Sequence, residues 1–417
     1  METRKKGELQ TSLLIATIAL FSYSASYFAR GVLGVVKVDI EEAGVFTGPQ
    51  IGLIISVAMF VYAIAQLVTG VIGDFIQSKY MISGGLLLSG LFTLVIPNST
   101  NFWVVPVAYA LSNVFLSPIF GSVTKTIAEN VVPRHASRVA LPVSFATVFG
   151  APLAGAIAMI CKWNAVFVVS GVAMVTLGVL CFVLFTVCEK KGWITYRARE
   201  KQETKKKSPL DVRFLMKHSF LQFLVVALLV GVNNSIAQLL TSYYKEFLGF
   251  TAEGAKGIYT VTGFIRSAAP FFFNLFLYEV VFKRDAKKTL LCIFTVATLG
   301  FGASLLFPHQ AWVNVILITV ANLACGGYGA ILFSVYCPSL KKAGAVSSVS
   351  SLINCTNYVM AAVATAVITS VVGTVGWDKI VMVWTLLMVI GFAVTLTIKS
   401  GEFEGEEAAP VDGEVTE

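Results

Sequence analysis

Long apolar stretches dominate this chain and restrict what it can fold into. Twelve of them can be separated, each about 18 to 28 residues long, and a helix needs about 20 apolar residues to cross a bilayer. Charged residues make up 13% of the 417 residues, whereas a soluble domain carries about 25%. We therefore predict an all-α membrane protein with twelve transmembrane helices, at 11–38, 51–73, 80–97, 102–127, 140–160, 164–187, 220–244, 257–282, 288–307, 312–337, 346–372 and 380–398.

A basic segment divides the twelve stretches into six and six. The two sets resemble each other weakly, since Trp163 opens the sixth stretch and Trp377 opens the twelfth. Transporters built from two such repeats bind their substrate between the halves, near the middle of the membrane. We predict two pseudo-symmetric halves and an acidic tail that is disordered. The predicted divisions are 1–187, 188–219, 220–399 and 400–417.

The net charge of +8 is distributed unevenly along the chain. With the N-terminus on the inner side, 24 of the 31 Lys and Arg residues fall on that side and 5 on the other. Because cytoplasmic loops are enriched in Lys and Arg, we predict a multi-pass protein of the plasma or inner membrane with both termini in the cytoplasm. The basic runs then set the topology, and we expect no nucleic-acid partner.

Motifs for cofactor chemistry are missing from the sequence. It contains no phosphate-binding glycine loop, dinucleotide fingerprint or nucleophile elbow. Its seven cysteines form no CxxC pair, so neither a metal site nor a disulfide framework is indicated. We therefore expect no cofactor, no metal and no enzymatic activity.

Two arginines lie inside apolar stretches, Arg30 in the first and Arg266 in the eighth. A guanidinium stays charged at any ordinary pH, and placing it at membrane depth costs about 3 kcal/mol on insertion scales, so it usually faces a cavity. Both arginines lie about 12–14 Å below the outer boundary of their stretches. We predict that they bind one anion together, from opposite halves. The alternatives are an Arg30 bonded to helix-end carbonyls, and an Arg266 that reaches outward or pairs with Glu253 or Glu246.

Other polar residues accompany these arginines. Tyr23, Tyr27 and Arg30 are spaced at i, i+4 and i+7, so they share one helical face. A guanidinium fork fits a carboxylate or a phosphate, and neighbouring phenols can bond the same ligand; simple packing is the alternative for the two tyrosines. Six amide side chains offer either cavity lining or contacts between helices: Asn113, Asn233, Asn234, Gln238, Asn354 and Asn357.

One short segment resembles the cytoplasmic loop motif of the major facilitator superfamily. It is Gly70-Val-Ile-Gly-Asp74 followed by Lys79, with Phe75 in place of the usual basic residue. The resemblance implies a twelve-helix transporter fold. Asp74 and Glu279 lie at the inner ends of the second and eighth stretches, and we predict that they serve as gate or hinge residues, together with Gly70.

A second resemblance concerns the substrate site. Tyr27-Phe-Ala-Arg30 resembles the opening of the organophosphate:phosphate antiporter branch, and the stretch Gln50 to Gln66 is similar to organic-anion symporters of the sialate and sugar-acid type. Alignment with the antiporter branch puts its second substrate arginine at Asn233, its helix-two lysine at Gln66 and its helix-five histidine at Thr147. The resemblance therefore implies Gln66 and Asn233 as further substrate ligands. Because the arginine, the lysine and the histidine of the branch are all replaced here, the site of this chain departs from a typical phosphate-ester site.

No carboxylate lies in the middle of an apolar stretch, and proton-coupled symporters commonly titrate one there. We therefore predict a secondary active transporter of a small organic anion, either a phosphate ester or a carboxylate. It would work by alternating access, as a monomer in the lipid bilayer, with anion exchange as the preferred mode. A proton-coupled sugar-acid or carboxylate symporter and a transporter-like membrane sensor are the alternatives left open.

Overall fold

The computed structural model describes residues 2–73, 76–99, 101–131, 146, 150–194, 219–268, 272–283, 285–337 and 346–398. These residues form twelve α-helices and no β-strand. The helices are α1 (Glu2–Glu42), α2 (Gly48–Ile72), α3 (Ser78–Val95), α4 (Val104–Asn130), α5 (Ala151–Ala158), α6 (Trp163–Lys190), α7 (Phe220–Ser242), α8 (Ala252–Ser267), α9 (Ala286–Ser304), α10 (Ala311–Ile331), α11 (Val346–Val375) and α12 (Trp377–Leu396).

Ten of these described helices are long and apolar enough to cross a membrane. The other two, α5 and α8, have 8 and 16 residues, and each adjoins residues outside the described ranges. A π-helical segment, Phe272–Val281, follows α8, and shorter π-helical turns continue α7 (Tyr243–Phe247) and α10 (Leu332–Tyr336). The predicted all-α fold with twelve helices is confirmed. Most of the predicted linker, 195–218, and the tail 400–417 lie outside the described residues.

The packing of the helices repeats after six. Helix α3 packs against α4 and α6, and α9 packs in the same way against α10 and α12. Between the halves, α2 packs against α11, and the equivalent helix α8 packs against α5. These paired contacts are the pattern of two six-helix repeats related by a pseudo-two-fold axis, with a site between them.

Basic residues separate the two ends of this bundle. We call the end at which α1 begins the basic end, and the end at which α1 finishes the far end. At the basic end the described lysines are Lys5, Lys6, Lys79, Lys125, Lys190, Lys191, Lys283, Lys287 and Lys288, and at the far end they are Lys37, Lys162, Lys245, Lys256 and Lys379.

Two glycine–threonine contacts bring the halves close together near the far end. Gly52 on α2 faces Thr369 on α11, and Gly155 on α5 faces Thr260 on α8. A Cβ atom on either glycine would overlap the facing threonine side chain. Small residues of this kind let helix backbones approach each other in a membrane. The two contacts involve equivalent helix pairs, so the close approach follows the pseudo-symmetry.

Polar bonds add to this closure. Lys256 on α8 places its Nζ atom 2.9 and 3.0 Å from the carboxylate oxygens of Asp39 on α1, and it also donates to the backbone oxygen of Ala158 at 3.1 Å. The side chains of Lys256 and Asp39 are only 7% and 17% exposed. Thr241 donates to the backbone oxygen of Gly34 at 2.9 Å. In this conformation the two halves are therefore held together at the far end.

Candidate functional site

A cavity of about 310 Å³ lies between the two halves. It is lined by α1, α2 and α4 from the first half and by α7, α10 and α11 from the second. Its volume is at the lower limit of the range of about 300–1,000 Å³ that is usual for small-molecule sites. Its polar side chains are Tyr27, Arg30, Tyr62, Tyr109, Asn113, Asn233, Asn234, Gln238, Asn354, Asn357 and Tyr358.

Arg30 is the cation of this cavity. Its Nη1 donates to the phenol oxygen of Tyr358 at 2.9 Å, and its Nε donates to the backbone oxygen of Ser26 at 3.4 Å. Its Nη2 is buried and has no hydrogen-bond partner among the described residues. The guanidinium thus bonds once to its own helix and once to the other half, and one nitrogen is left for a ligand.

Three tyrosine rings surround the Arg30 guanidinium. Its Cζ lies 4.6 Å from the ring centroids of both Tyr27 and Tyr62, and 5.8 Å from that of Tyr358. The faces of aromatic rings attract a cation. The phenol of Tyr109 donates to the backbone oxygen of Arg30 at 2.9 Å. Aromatic side chains therefore both surround the charge and position the helix that carries it.

Acidic residues do not balance this charge. No Asp or Glu is among the described residues that line the cavity. An ion that is removed from water costs several kcal/mol unless it meets an opposite charge or several hydrogen bonds. The described lining therefore carries a net positive charge and a buried donor without a partner. Such an arrangement favours the binding of an anion from outside the protein.

All six of the amide residues singled out in the sequence line the cavity. Some of them bond to one another or to the backbone: Asn234 Nδ2 donates to Asn357 Oδ1 at 2.8 Å, and Asn113 Nδ2 donates to the backbone oxygen of Tyr109 at 2.8 Å. The Oδ1 atom of Asn233 is buried without a partner among the described residues. The cavity thus combines one cation with neutral groups that suit hydroxyl-rich molecules.

The other predicted ligands lie at different distances from this cavity. Tyr27, Arg30 and Asn233 line it. Tyr23 is not among the lining residues, but its phenol oxygen lies 3.3 Å from that of Tyr27. Gln66 is hydrogen-bonded to the amide of Asn354, which lines the cavity from α11. The structure therefore groups five of the six predicted ligands in or beside one cavity.

Arg266 is the exception. It lies about 21 Å along α8 from the far end, whereas Arg30 lies about 18 Å along α1 from the same end, at 1.5 Å per residue. In spite of this similar depth, Arg266 is not among the residues that line the cavity. Its Cζ lies 5.7 Å from the ring centroid of the buried Tyr259 on the same helix. In this conformation the structure does not bring the two arginines to one site.

The predicted gate residues are described only in part. Gly70 is exposed near the end of α2, and Glu279 is exposed on the π-helical segment after α8. Asp74, like the aligned Thr147, lies outside the described residues. A gating or hinge role for Gly70, Asp74 and Glu279 stays a prediction.

Three tyrosines of the cavity were missed from the sequence: Tyr62, Tyr109 and Tyr358. A signal was present, because each lies four residues from an amide on its own helix. The pairs are Tyr62 with Gln66, Tyr109 with Asn113 and Tyr358 with Asn354. Residues at i and i+4 share a helical face, so each amide predicted as lining pointed to a neighbouring tyrosine.

The comparison with protein families agrees with this architecture. Two six-helix halves around a central polar cavity are the architecture of membrane transport proteins that work by alternating access. The family model of the Major Facilitator Superfamily matches residues 19–365. The chain belongs to this superfamily.

Similar proteins differ in what their names describe. The chain is 28% identical over 109 residues to the membrane sensor protein UhpC of Salmonella typhimurium, which is 26% of this chain and 24% of that protein. It is 26% identical over 102 residues to the membrane sensor protein UhpC of Escherichia coli, so the match spans about a quarter of either sensor. It is 24% identical over 343 residues to the hexuronate transporter of Bacillus subtilis, which is 74% of this chain and 77% of that protein.

Solved structures share the fold. A bacterial homolog of the human lysosomal transporter Spinster, in an inward-facing and unoccupied conformation, matches with a TM-score of 0.69 and 13% identity, over 93% of this chain and 96% of that chain. At this identity the match shows the architecture alone.

Proposed function

We propose that this protein transports a small organic anion by alternating access through the cavity around Arg30. The observation that carries the proposal is the Nη2 atom of Arg30, which is buried without a partner in a cavity whose described lining contains no acid. A guanidinium in this position suits a carboxylate or a phosphate. Six-helix repeats that rock about a central site give the path.

A carboxylate that carries hydroxyl groups is the preferred substrate. The described lining offers one cation and six amide side chains, which suits one negative charge and several hydrogen bonds. A phosphate ester carries up to two charges and would gain from a second cation, and Arg266 does not line this cavity. The hexuronate transporter among the relatives is named for a substrate of the preferred kind.

Topology and conformation together indicate the side of the membrane from which the cavity is separated. Because cytoplasmic loops are enriched in Lys and Arg, we assign the basic end to the cytoplasm. The halves are held together at the far end by Lys256 and Asp39. This conformation would then be one in which the exterior is separated from the cavity.

Anion exchange is the preferred mode, for an electrostatic reason. An empty carrier must take the Arg30 charge through the conformational change with only ring faces and neutral groups around it. A bound anion neutralises that charge, so the loaded carrier should change conformation faster than the empty one. Transport in one direction would then depend on an anion returning in the other.

Counterflow in proteoliposomes tests the function. We expect unlabelled glucuronate inside the vesicles to drive uptake of labelled glucuronate. Gluconate as the internal anion should drive this uptake as well, whereas internal glucose should not. Glucose 6-phosphate as the internal anion distinguishes the phosphate-ester alternative from the carboxylate, because it drives the uptake only if the site accepts a phosphate ester. If none of the three anions is exchanged or bound, the proposed function is wrong.

The same vesicles test whether transport of the anion is coupled to protons. We expect an imposed pH gradient, without an internal anion, to give no uphill accumulation of glucuronate, because no Asp or Glu is among the described lining residues to bind a proton. An internal anion without a pH gradient should restore uptake. Accumulation driven by the pH gradient alone would support the proton-coupled symporter instead.

A sensor is the second candidate, because two of the relatives are named membrane sensor proteins. A sensor and a transporter share the binding site and differ in whether the ligand crosses the membrane. Binding of an anion in detergent or nanodiscs together with no counterflow in vesicles would favour the sensor.

Replacement of Arg266 by glutamine tests whether the two arginines share one anion. We expect Arg266→Gln to keep most of the thermal shift that glucuronate produces, since Arg266 does not line the cavity. Arg30→Gln should remove the shift, because ligand stabilisation depends on affinity. Loss of the shift in both variants would instead show that Arg266 reaches the anion in another conformation.

A further inference from the structure

We propose that the phenol of Tyr358 occupies, in the empty protein, the position of one oxygen of the bound anion. On this proposal, anion binding displaces Tyr358 from Arg30 and breaks a bond between the two halves. The inference rests on the proposed function, since it requires Arg30 to bind the anion.

The first support is the state of the guanidinium. A carboxylate that binds end-on to an arginine uses both terminal nitrogens, in two parallel hydrogen bonds. In Arg30, Nη1 already donates to Tyr358 at 2.9 Å, while Nη2 is buried without a partner among the described residues. A phenol oxygen thus fills one of the two ligand positions of the guanidinium. The other position is covered.

The second support is that the tyrosine rings around Arg30 come from different halves of the protein. Tyr27 on α1 and Tyr62 on α2 belong to the same half as Arg30, whereas Tyr358 on α11 belongs to the opposite half. When the halves move relative to each other, Tyr27 and Tyr62 move with Arg30. Tyr358 does not. It is therefore the member of the aromatic cluster that a conformational change can remove.

The third support is the chemistry of the exchange. A phenol is a neutral acceptor with one oxygen, whereas a carboxylate is charged and can accept from both terminal nitrogens of a guanidinium in two parallel bonds. An incoming anion therefore has the advantage over the phenol at Nη1. The ring of Tyr358 also contacts the ring of Tyr62 at a centroid distance of 4.9 Å, so its displacement loosens the contact between α2 and α11.

The Tyr358→Phe variant tests this inference, because it keeps the ring and removes only the phenol oxygen. In Tyr358→Phe the empty protein loses the hydrogen bond that competes with the anion. We expect the Kd for glucuronate to fall about tenfold, the equivalent of one hydrogen bond to a charged group. The KM of counterflow should fall with it. Kd is measured by titration calorimetry on the full-length protein in nanodiscs.

Two further variants are matched controls. Tyr27→Phe removes a phenol beside the same guanidinium, but Tyr27 belongs to the same half as Arg30 and lines the cavity as a predicted ligand of the anion, so this variant should not lower the Kd. Tyr80→Phe changes an exposed tyrosine on α3 and should leave binding and uptake as they are in the wild type.

Each outcome for Tyr358→Phe decides the inference. A higher Kd would mean that Tyr358 is itself a ligand of the bound anion, and an unchanged Kd would mean that it only packs; both overturn the inference and leave the proposed function standing. A wild-type protein that binds none of glucuronate, gluconate or glucose 6-phosphate overturns both together.

Discussion

Replacement of Arg30 by lysine should abolish most of the transport while the protein remains folded. Lysine keeps the positive charge but presents a single point charge in place of a planar fork. The loss of one hydrogen bond between charged groups, about 2 kcal/mol, corresponds to about 30-fold in affinity. Lysine also cannot reproduce the contacts of the guanidinium with the three tyrosine rings. Counterflow of glucuronate and the elution profile of the purified variant measure activity and folding separately.

The chain offers a matched control for this variant. Arg266→Lys makes the same change at the other arginine within an apolar stretch, at a similar depth, outside the cavity lining. We expect it to keep much more activity than Arg30→Lys. Normal counterflow by Arg30→Lys would remove Arg30 from the site.

Replacement of Lys256 by methionine should open the far end. The change leaves the Asp39 carboxylate, whose side chain is 17% exposed, without its partner between the halves. An orphaned buried charge costs about 3 kcal/mol or more, and opening the far end relieves it by returning the carboxylate to water. The closed population should therefore fall about 100-fold relative to the open one.

A distance measurement between the halves checks this result. Spin labels carried by unnatural amino acids at Ala43 and Glu253, both exposed at the far end, leave the native cysteines unlabelled. We expect the label distances in Lys256→Met to shift to longer values. The double variant Asp39→Leu with Lys256→Met should return towards the wild-type distances, because no charge is then orphaned.

A second ion pair at the same end is the control. The Nζ atom of Lys245 lies 2.7 Å from Oε1 of Glu42, but the two side chains are 29% and 49% exposed. Exposed pairs contribute about 0–1 kcal/mol, so Lys245→Met should shift the distances little. Equal distances in Lys256→Met and the wild type would show that the buried pair does not hold the far end closed.

Much of the fold could be predicted from the sequence, because a membrane acts on each helix separately. A spanning helix satisfies its own backbone hydrogen bonds, so its length and hydropathy can be recognised without its neighbours. The uneven lysines and arginines likewise predicted which loops share one end of the bundle, and the described lysines do gather there. The stretches around α5 and α8 are less complete, since parts of both lie outside the described residues.

The candidate site could be predicted only in part. Tyr27 and Arg30 share one face of one helix, so local spacing placed them together, and the amides were recognisable as polar groups among apolar neighbours. What the sequence by itself determined was therefore how deep each polar group lies and which groups on one helix face the same way.

The tertiary structure decided the rest. It alone brought Tyr62, Tyr109 and Tyr358 to Arg30, from three other helices, and it alone placed Arg266 away from the cavity at nearly the same depth. The physical reason is that helical periodicity gives depth and relative angle within one helix. The rotation of each helix about its own axis depends on how it packs against its neighbours, and a single sequence does not show that packing.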